Sequence, residues 1–366
     1  MRDISDLRQR QALPLGAKVL MSQNRIREWY EHFNGDVYIS FSGGKDSTVL
    51  AHIVHDVYPD VPMVFANTGL EYPEIQSFAK KMGAEFVRPK MMFSDVLSKY
   101  GYPIISKEVS TSIAEARPIN TKSTFRREEF QGKRLNQKTG EICPFQKTKW
   151  LPLCRDTQFR ISDRCCSVMK KSPIRQYESK THRKPFIGTL TDESRLRELA
   201  WIKNGCNAFD KKKPSSQPLS FWKEQDVLKY IKDNGIEIAS VYGEILSTDK
   251  DGYQYEAMLG IECELKCSGC QRTGCIFCGF GSHLDKDNVT RWQKLSKTHP
   301  KQYEYCMGGG QWVENPDYDP TAPKMIGEWQ NWNPKKIWVP SKKGLGMKKV
   351  FDDCNQIYGK DFIRYE

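Results

Sequence analysis

Residues 36–57 read DVYISFSGGKDSTVLAHIVHDV, and three kinds of chemistry follow one another in them. Residues 36–39 are short, mostly apolar and β-branched, as a buried parallel strand requires. Val49, Leu50, Ile53, Val54 and Val57 recur at helical spacing on one face. Between the two lie Ser42, Gly43, Gly44, Lys45, Asp46 and Ser47. Adjacent glycines allow a sharp turn that brings backbone N–H groups close to an anion, and the helix N-terminus that follows adds a favourable dipole. Strand, loop and helix together predict a phosphate cradle.

Neither common phosphate loop fits, because the spacings of GxxxxGK[ST] and of GxGxxG are both absent. The stretch resembles the SGGxDS pyrophosphate loop of the adenine nucleotide alpha hydrolases, in the branch that contains phosphoadenylyl sulfate reductase. That resemblance implies a doubly wound, mostly parallel α/β sheet and an enzyme that cleaves ATP between the α and β phosphates or handles an adenylyl sulfate. Ser40, Ser42, Gly43, Gly44, Lys45, Asp46 and Ser47 would then bind the nucleotide. Lys45 and Asp46 would serve catalysis, with Asp46 helping to hold Mg²⁺.

The surroundings extend the pattern. A helix is expected over residues 15–33, a strand over 63–66, a helix over 74–82, a strand over 84–87, a helix over 94–100 and a strand over 184–190, the alternation of an α/β fold. The NTGLEYPE turn after the second strand resembles the family's (D/N)TGxxxPE turn and adds Asn67, Thr68, Gly69 and Glu71 to the nucleotide site. Pro103 and Lys107 resemble a segment bearing a substrate-facing lysine. GTLTDESRLR over residues 188–197 resembles GxRxxES..R, with Leu190 where the first arginine is expected. Arg195, Arg197 or both would pair with a phosphate or sulfate through the guanidinium fork, Arg195 being preferred because a helix-surface reading is stronger for Arg197. In residues 218–231, Ser220 is expected to cap a structural helix.

The chain has 366 residues, a net charge of +12 and twelve cysteines. No apolar run is long enough to span a bilayer, and the polar, mixed-charge N-terminus does not read as a secretion signal. A soluble cytoplasmic protein is expected, with its cysteines used for metal or redox chemistry rather than structural disulfides. Two candidate metal sets exist. Cys267, Cys270, Cys275 and Cys278 form a local double pair suited to zinc or iron–sulfur. The resemblance favours instead Cys165 and Cys166 with Cys275 and Cys278, which in the related enzymes hold a 4Fe–4S cluster. Cys267 and Cys270 then serve as a relay or resolving pair, as buried thiols, or with Cys263 at a second metal, any reactive thiol among them being acidified by Arg272 or Lys266 or by the cluster. The remaining cysteines read as passengers.

Two basic regions lie outside the resemblance. Residues 117–150 carry nine basic and three acidic residues and read as an inserted, flexible or partner-ordered segment, in which Phe125, Phe130, Phe145 and Trp150 offer stacking surfaces to single-stranded nucleic acid. The C-terminal tryptophans Trp329, Trp332 and Trp338, set among lysines, are expected to pack on the protein. The division expected is a nucleotide-binding domain over 1–260, with the insert at about 117–153, and a cysteine-rich, basic region over 261–366.

Three functions remain open. The first adenylates a substrate with ATP for iron–sulfur-dependent sulfur transfer, the acceptor being a nucleic acid, as in DNA phosphorothioation or tRNA thiolation, and the sulfur donor a cysteine desulfurase or thioredoxin-like protein. The second is an adenylyl sulfate or phosphoadenylyl sulfate reductase, although the KDFIRYE terminus lacks the ECGxH-like nucleophile. The third is a non-catalytic nucleotide-sensing or nucleic-acid-binding subunit. An oligomer is compatible with each.

Overall fold

The computed structural model describes residues 3–120, 124–248 and 264–366. The chain forms two compact units, each discontinuous: Met1–Pro89 with Ser172–Cys275, and Lys90–Lys171 with Ile276–Glu366. The expected boundary near residue 260 divides the chain once along its length, whereas the chain leaves the first unit at Pro89 and rejoins it at Ser172. Local patterning reports whether a segment is buried and not which core buries it.

The first unit is built on a six-stranded sheet. Its strands are β1 (Val37–Phe41), β2 (Met63–Ala66), β3 (Glu85–Val87), β4 (Lys184–Ile187), β5 (Asn207–Ala208) and β6 (Ser215–Ser216), in the order β3-β2-β1-β4-β6-β5. All neighbours are parallel except β5 and β6, so the fold is the expected mostly parallel α/β sheet. Helices α1 (Ile4–Gln11), α2 (Leu15–His32), α3 (Lys45–Val57) and α4 (Pro73–Lys81) come from the first segment, and α5 (Ser172–Thr181), α6 (Arg195–Asn204) and α7 (Glu224–Asp233) from the second. Val49, Leu50, Ile53 and Val54, the apolar stripe read in the sequence, are fully buried with Val37 and Ile39 of β1. Burying four such side chains contributes on the order of 6–12 kcal/mol before the entropy of ordering them. Helix α7 begins at Glu224, later than Ser220 would cap it: Asp226 accepts from Lys223 N at 2.7 Å, while the Ser220 hydroxyl faces Cys206 Sγ.

The sheet order sets the position of the site. The chain runs outward from β1 to β2 and β3, then returns to the other side of β1 with β4. Strands β1 and β4 therefore flank a switch point, and ligands in open parallel sheets lie beyond the carboxyl ends of such strands.

The second unit is mainly helical, with short strand pairs such as Ile104–Ile105 beside Gly279–Phe280 and Gln311–Glu314 beside Lys336–Val339. Its core holds Tyr102, Phe130, Phe159, Trp292 and Phe351. The segment expected to be a flexible insert is folded into this unit from residue 124 onward, with a helix at Phe125–Gln131 and another at Leu151–Asp156. Several of its basic residues are used internally. The Arg117 guanidinium donates to the carbonyls of Cys154, Leu153 and Phe159 and to the Thr157 hydroxyl. Arg126, Arg134 and Lys147 all reach the buried carboxylate of Glu129, at 3.2, 2.8 and 2.7 Å. Phe130 is fully buried and offers no stacking face. The C-terminal tryptophans pack as expected: Trp329 is buried, Trp332 Nε1 donates to Thr157 O, and Trp338 Nε1 donates to Gly346 O. No helix among the described residues is long and apolar enough to cross a membrane.

Candidate functional site

The loop after β1 takes the conformation its glycines permit. Gly43 has φ +69°, and a Cβ there would stand 2.8 Å from Ile75 Cγ2. Gly44 caps α3 in an extended conformation without a side-chain hydrogen bond, leaving the first turn open to an external acceptor. The serines hold the loop: Ser42 N donates to Ser47 Oγ (3.2 Å), the two hydroxyls lie 3.0 Å apart, and Ser47 Oγ donates to Gly44 O (2.9 Å). Ser40 lies one step back, inside β1 and paired with Val64 and Ile187. At the end of β4, a Cβ on Gly188 would meet Asp46 O at 3.0 Å, so a side chain there would crowd the start of α3.

A cavity of about 220 Å³ opens there, lined by the loop, Gly188, Thr189, Glu193, Arg197, Tyr242, Arg272 and Thr273. Lys45 Nζ lies 2.9 Å from Glu224, 3.2 Å from Gln271 O and 3.9 Å from Asp46. Burial works against the Lys45 charge, but Asp46 and Glu224 outweigh it and hold the pKa above the usual lysine value. Burial also pushes the Asp46 carboxyl upward, against the pull of Lys45, Arg272 and Arg197. Both values rise, for opposite reasons: Asp46 and Glu224 favour the charged lysine, whereas burial, with Glu224 adding repulsion, disfavours the charged aspartate. Asp46 Oδ1 is buried and accepts no hydrogen bond, and Thr189 Oγ1 is likewise without one. An orphaned carboxylate oxygen beside a phosphate loop fits a nucleotide-bound divalent cation.

The expected residues do not all converge. Lys45, Asp46, Ser42 and Gly44 line the cavity, with Gly43 and Ser47 in the same loop. Arg195 is exposed at the start of α6 and lines neither this cavity nor the adjoining one, whereas Arg197 reaches in, pairs with Glu193 and donates to Leu190 O at 3.2 Å. Asn67, Thr68, Gly69 and Glu71 lie at the end of β2 and bond mainly to one another: Thr68 N and Oγ1 donate to Glu71, and Gly69 N to Asn67 Oδ1. Tyr242 carries no recognisable motif, and Arg272 and Thr273 stand between the two cysteine pairs, where the expected role of Arg272 is only to act on the thiols. Two local signals point to Arg197: the last arginine of the GxRxxES..R pattern falls on it, and it stands i, i+4 from Glu193.

The second unit holds Lys107, Cys165, Cys166 and Cys278, while Cys275 belongs to the first. Cys166 opens a π-helical turn, Cys166–Lys171, a form common at functional positions. A hydrogen bond from Cys165, aided by Lys107 and Lys170, lowers its pKa to about 6. Burial raises the Cys278 pKa, and Cys166 adds to that. Lys107 follows Ile105, a buried β-branched residue at φ +65°, where backbone strain is stored. Among the described residues no group of three or more His, Cys, Asp or Glu side chains is arranged to hold a metal ion. Cys267 and Cys270 lie in the first unit, and burial raises the Cys267 pKa despite Lys45, so the expected acidification by Arg272 or Lys266 does not dominate there. Cys263 lies outside the described residues. Cys154, Cys306 and Cys354 are buried thiols with pKa values raised by burial, which suits passengers.

A model of the phosphoadenosine phosphosulfate reductase domain matches residues 36–153 and 145–279. The chain is 30% identical over 102 residues to the uncharacterized protein MJ0973 of Methanocaldococcus jannaschii, covering 26% of this chain and 25% of that protein. It is 28% identical over 80 residues to a phosphoadenosine 5'-phosphosulfate reductase of Photorhabdus laumondii, covering 22% and 33%. To a protein of the same name from Serratia proteamaculans it is 29% identical over 65 residues, covering 18% and 27%. The chain thus spans a third or less of the length of these curated relatives. Among solved structures, phosphoadenylyl-sulfate (PAPS) reductase from Candida auris in its phosphate complex aligns with a TM-score of 0.34 and 11% identity, over 60% of this chain and 82% of that one; so loose a likeness carries no argument about individual residues.

Proposed function

The chain belongs to the phosphoadenosine phosphosulfate reductase domain family, and from that premise we propose that it is an ATP α–β cleaving enzyme that adenylates an acceptor for sulfur transfer. One observation carries the reading: a complete SGGKDS loop has Lys45 and an Asp46 Oδ1 that accepts no hydrogen bond in one cavity with two arginines. Loop N–H groups and the Ser42 and Ser47 hydroxyls would hold the phosphates, an acceptor oxygen would attack the α phosphorus, and pyrophosphate would leave. Lys45 and Arg197 would stabilise charge developing on the leaving group. Asp46 would hold Mg²⁺, which supplies charge neutralisation on the phosphates. The cysteines preferred from the sequence, Cys165, Cys166, Cys275 and Cys278, would supply an all-thiolate donor set for a 4Fe–4S cluster with redox or sulfur chemistry, although among the described residues the structure does not gather them into a metal site. The acceptor class remains a nucleic acid or another oxygen nucleophile, and the sulfur donor a cysteine desulfurase or thioredoxin-like protein.

A second reading, sulfonucleotide reduction, is favoured by the names of the Photorhabdus and Serratia relatives. Anaerobically purified protein should release pyrophosphate from ATP in the presence of acceptor and no sulfite from adenylyl sulfate. Sulfite release without pyrophosphate release would select the reductase, and neither product would leave a binding subunit.

A further inference from the structure

The glycine loop does not account for the residues that roof its cavity. Residues 267–273 are docked by backbone bonds: Ser268 N donates to Glu244 O, Gly269 N to Tyr242 O and Cys270 N to Val241 O, all at 2.8–2.9 Å. That docking carries three groups over the loop. Gln271 O accepts from Lys45 Nζ, the Thr273 hydroxyl lies 2.6 Å from the Tyr242 hydroxyl, and Arg272 Nη2 lies 2.7 Å from Glu193 Oε1. Glu193 also pairs with Arg197. One carboxylate thus sits with two guanidiniums, in a cavity that also holds Asp46 Oδ1 and Thr189 Oγ1, neither of which makes a hydrogen bond.

We propose that Arg272, with Arg197, forms a second oxyanion site beside the loop's own cradle, and that Glu193 fills it as an internal stand-in until a phosphoryl or sulfo group of the nucleotide displaces it. The inference rests on the nucleotide reading of the same crevice and names a ligand-binding residue for it. A guanidinium fork matches carboxylate, phosphate and sulfate alike, so the exchange replaces one anion by another of higher charge in the same donor set. Glu193 suits the role by position: it ends a short 3₁₀ turn, Thr191–Glu193, ahead of α6, and can swing without disturbing the helix. Lys45 is matched in the same way by Glu224. Both cationic positions are therefore paired with the protein's own carboxylates, the arginine pair keeping an excess of positive charge, and a ligand with two linked anionic groups is suited to displace both. The device favours a polyphosphate or phosphosulfate over a lone anion.

The test is titration of inorganic pyrophosphate, ATP and adenosine 5'-phosphosulfate into the full-length protein by calorimetry, for the wild type and for Glu193→Gln, Arg272→Ala, Arg272→Lys and Lys45→Ala. Glu193→Gln should bind pyrophosphate several-fold more tightly, a gain that damaged folding cannot produce. Arg272→Ala should weaken it roughly 10- to 100-fold, the loss expected for a charged hydrogen bond, with partial recovery in Arg272→Lys. The gain from Glu193→Gln should shrink when Arg272 is absent. A larger loss for ATP than for the phosphosulfate in Arg272→Ala assigns the site to a phosphoryl group, and the reverse to a sulfo group. Unchanged affinity in Arg272→Ala, with binding abolished in Lys45→Ala, would overturn the inference and leave the nucleotide reading standing. A wild-type protein that binds none of the three would overturn both.

Discussion

Two groups of charges, one in each unit, look alike in composition and differ in how completely they are satisfied. In the second unit Glu129 is 1% exposed and receives Arg126, Arg134 and Lys147; both its oxygens are bonded, and its pKa is held below the usual carboxylate value because those cations outweigh burial. In the first unit Asp46 lies among Lys45, Arg197 and Arg272, yet one of its oxygens accepts nothing and its pKa is raised. A buried network whose members are all paired specifies structure, whereas one with orphaned atoms is held open for a ligand. The difference separates a scaffold from a site where residue types alone do not.

Four substitutions probe that contrast. Glu129→Gln should have the largest effect, because three cations lose their counterion: a loss of about 3–5 kcal/mol in urea unfolding with nucleotide affinity kept in the protein that remains folded. A stable Glu129→Gln protein that no longer binds nucleotide would break the comparison. Asp46→Asn should act the opposite way, lowering turnover roughly 100- to 1,000-fold while the thermal midpoint holds or rises, since burial already disfavours the charged carboxyl. Gly43→Ala should cost about 1–2 kcal/mol for a left-handed backbone and weaken nucleotide binding through the contact with Ile75; differential scanning calorimetry and calorimetric titration read the two parts. Arg195→Ala should be the mildest, with stability within about 0.5 kcal/mol and unchanged affinity, and any marked loss of affinity would restore the arginine preferred from sequence.

Local chemistry made much of this legible. Strands β1 and β2, the glycine loop and the apolar face of α3 are written in consecutive residues, and their positions followed from period and turn chemistry. Which arginine lines the cavity depends on helix phase: residues two apart on a helix point about 200° from each other, so with Arg197 in the cavity Arg195 lies outside it. Tyr242 and Arg272 were illegible for another reason, since the backbone bonds between 241–244 and 268–270 that bring them to the loop leave no periodic trace. The basic run after residue 117 read as a flexible insert because composition counts charges and does not say that Arg117 and Arg126 are paired within the fold.

The chain order of the sheet also bears on synthesis. Strand β1 lies between β2, which follows it closely, and β4, which begins at Lys184. Between β3 and β4 the ribosome must make about a hundred residues, most of them belonging to the other unit, which takes on the order of 5–20 s at ~5–20 residues per second. Through that interval the nascent sheet carries Val37, Ile39 and Phe41 on a strand with one open hydrogen-bonding edge, the arrangement that invites pairing with a foreign strand. Yield in a cell should therefore depend on chaperone supply and translation speed more steeply than the stability of the finished protein suggests, and slowing translation before residue 184 should lower soluble yield more than slowing it afterwards.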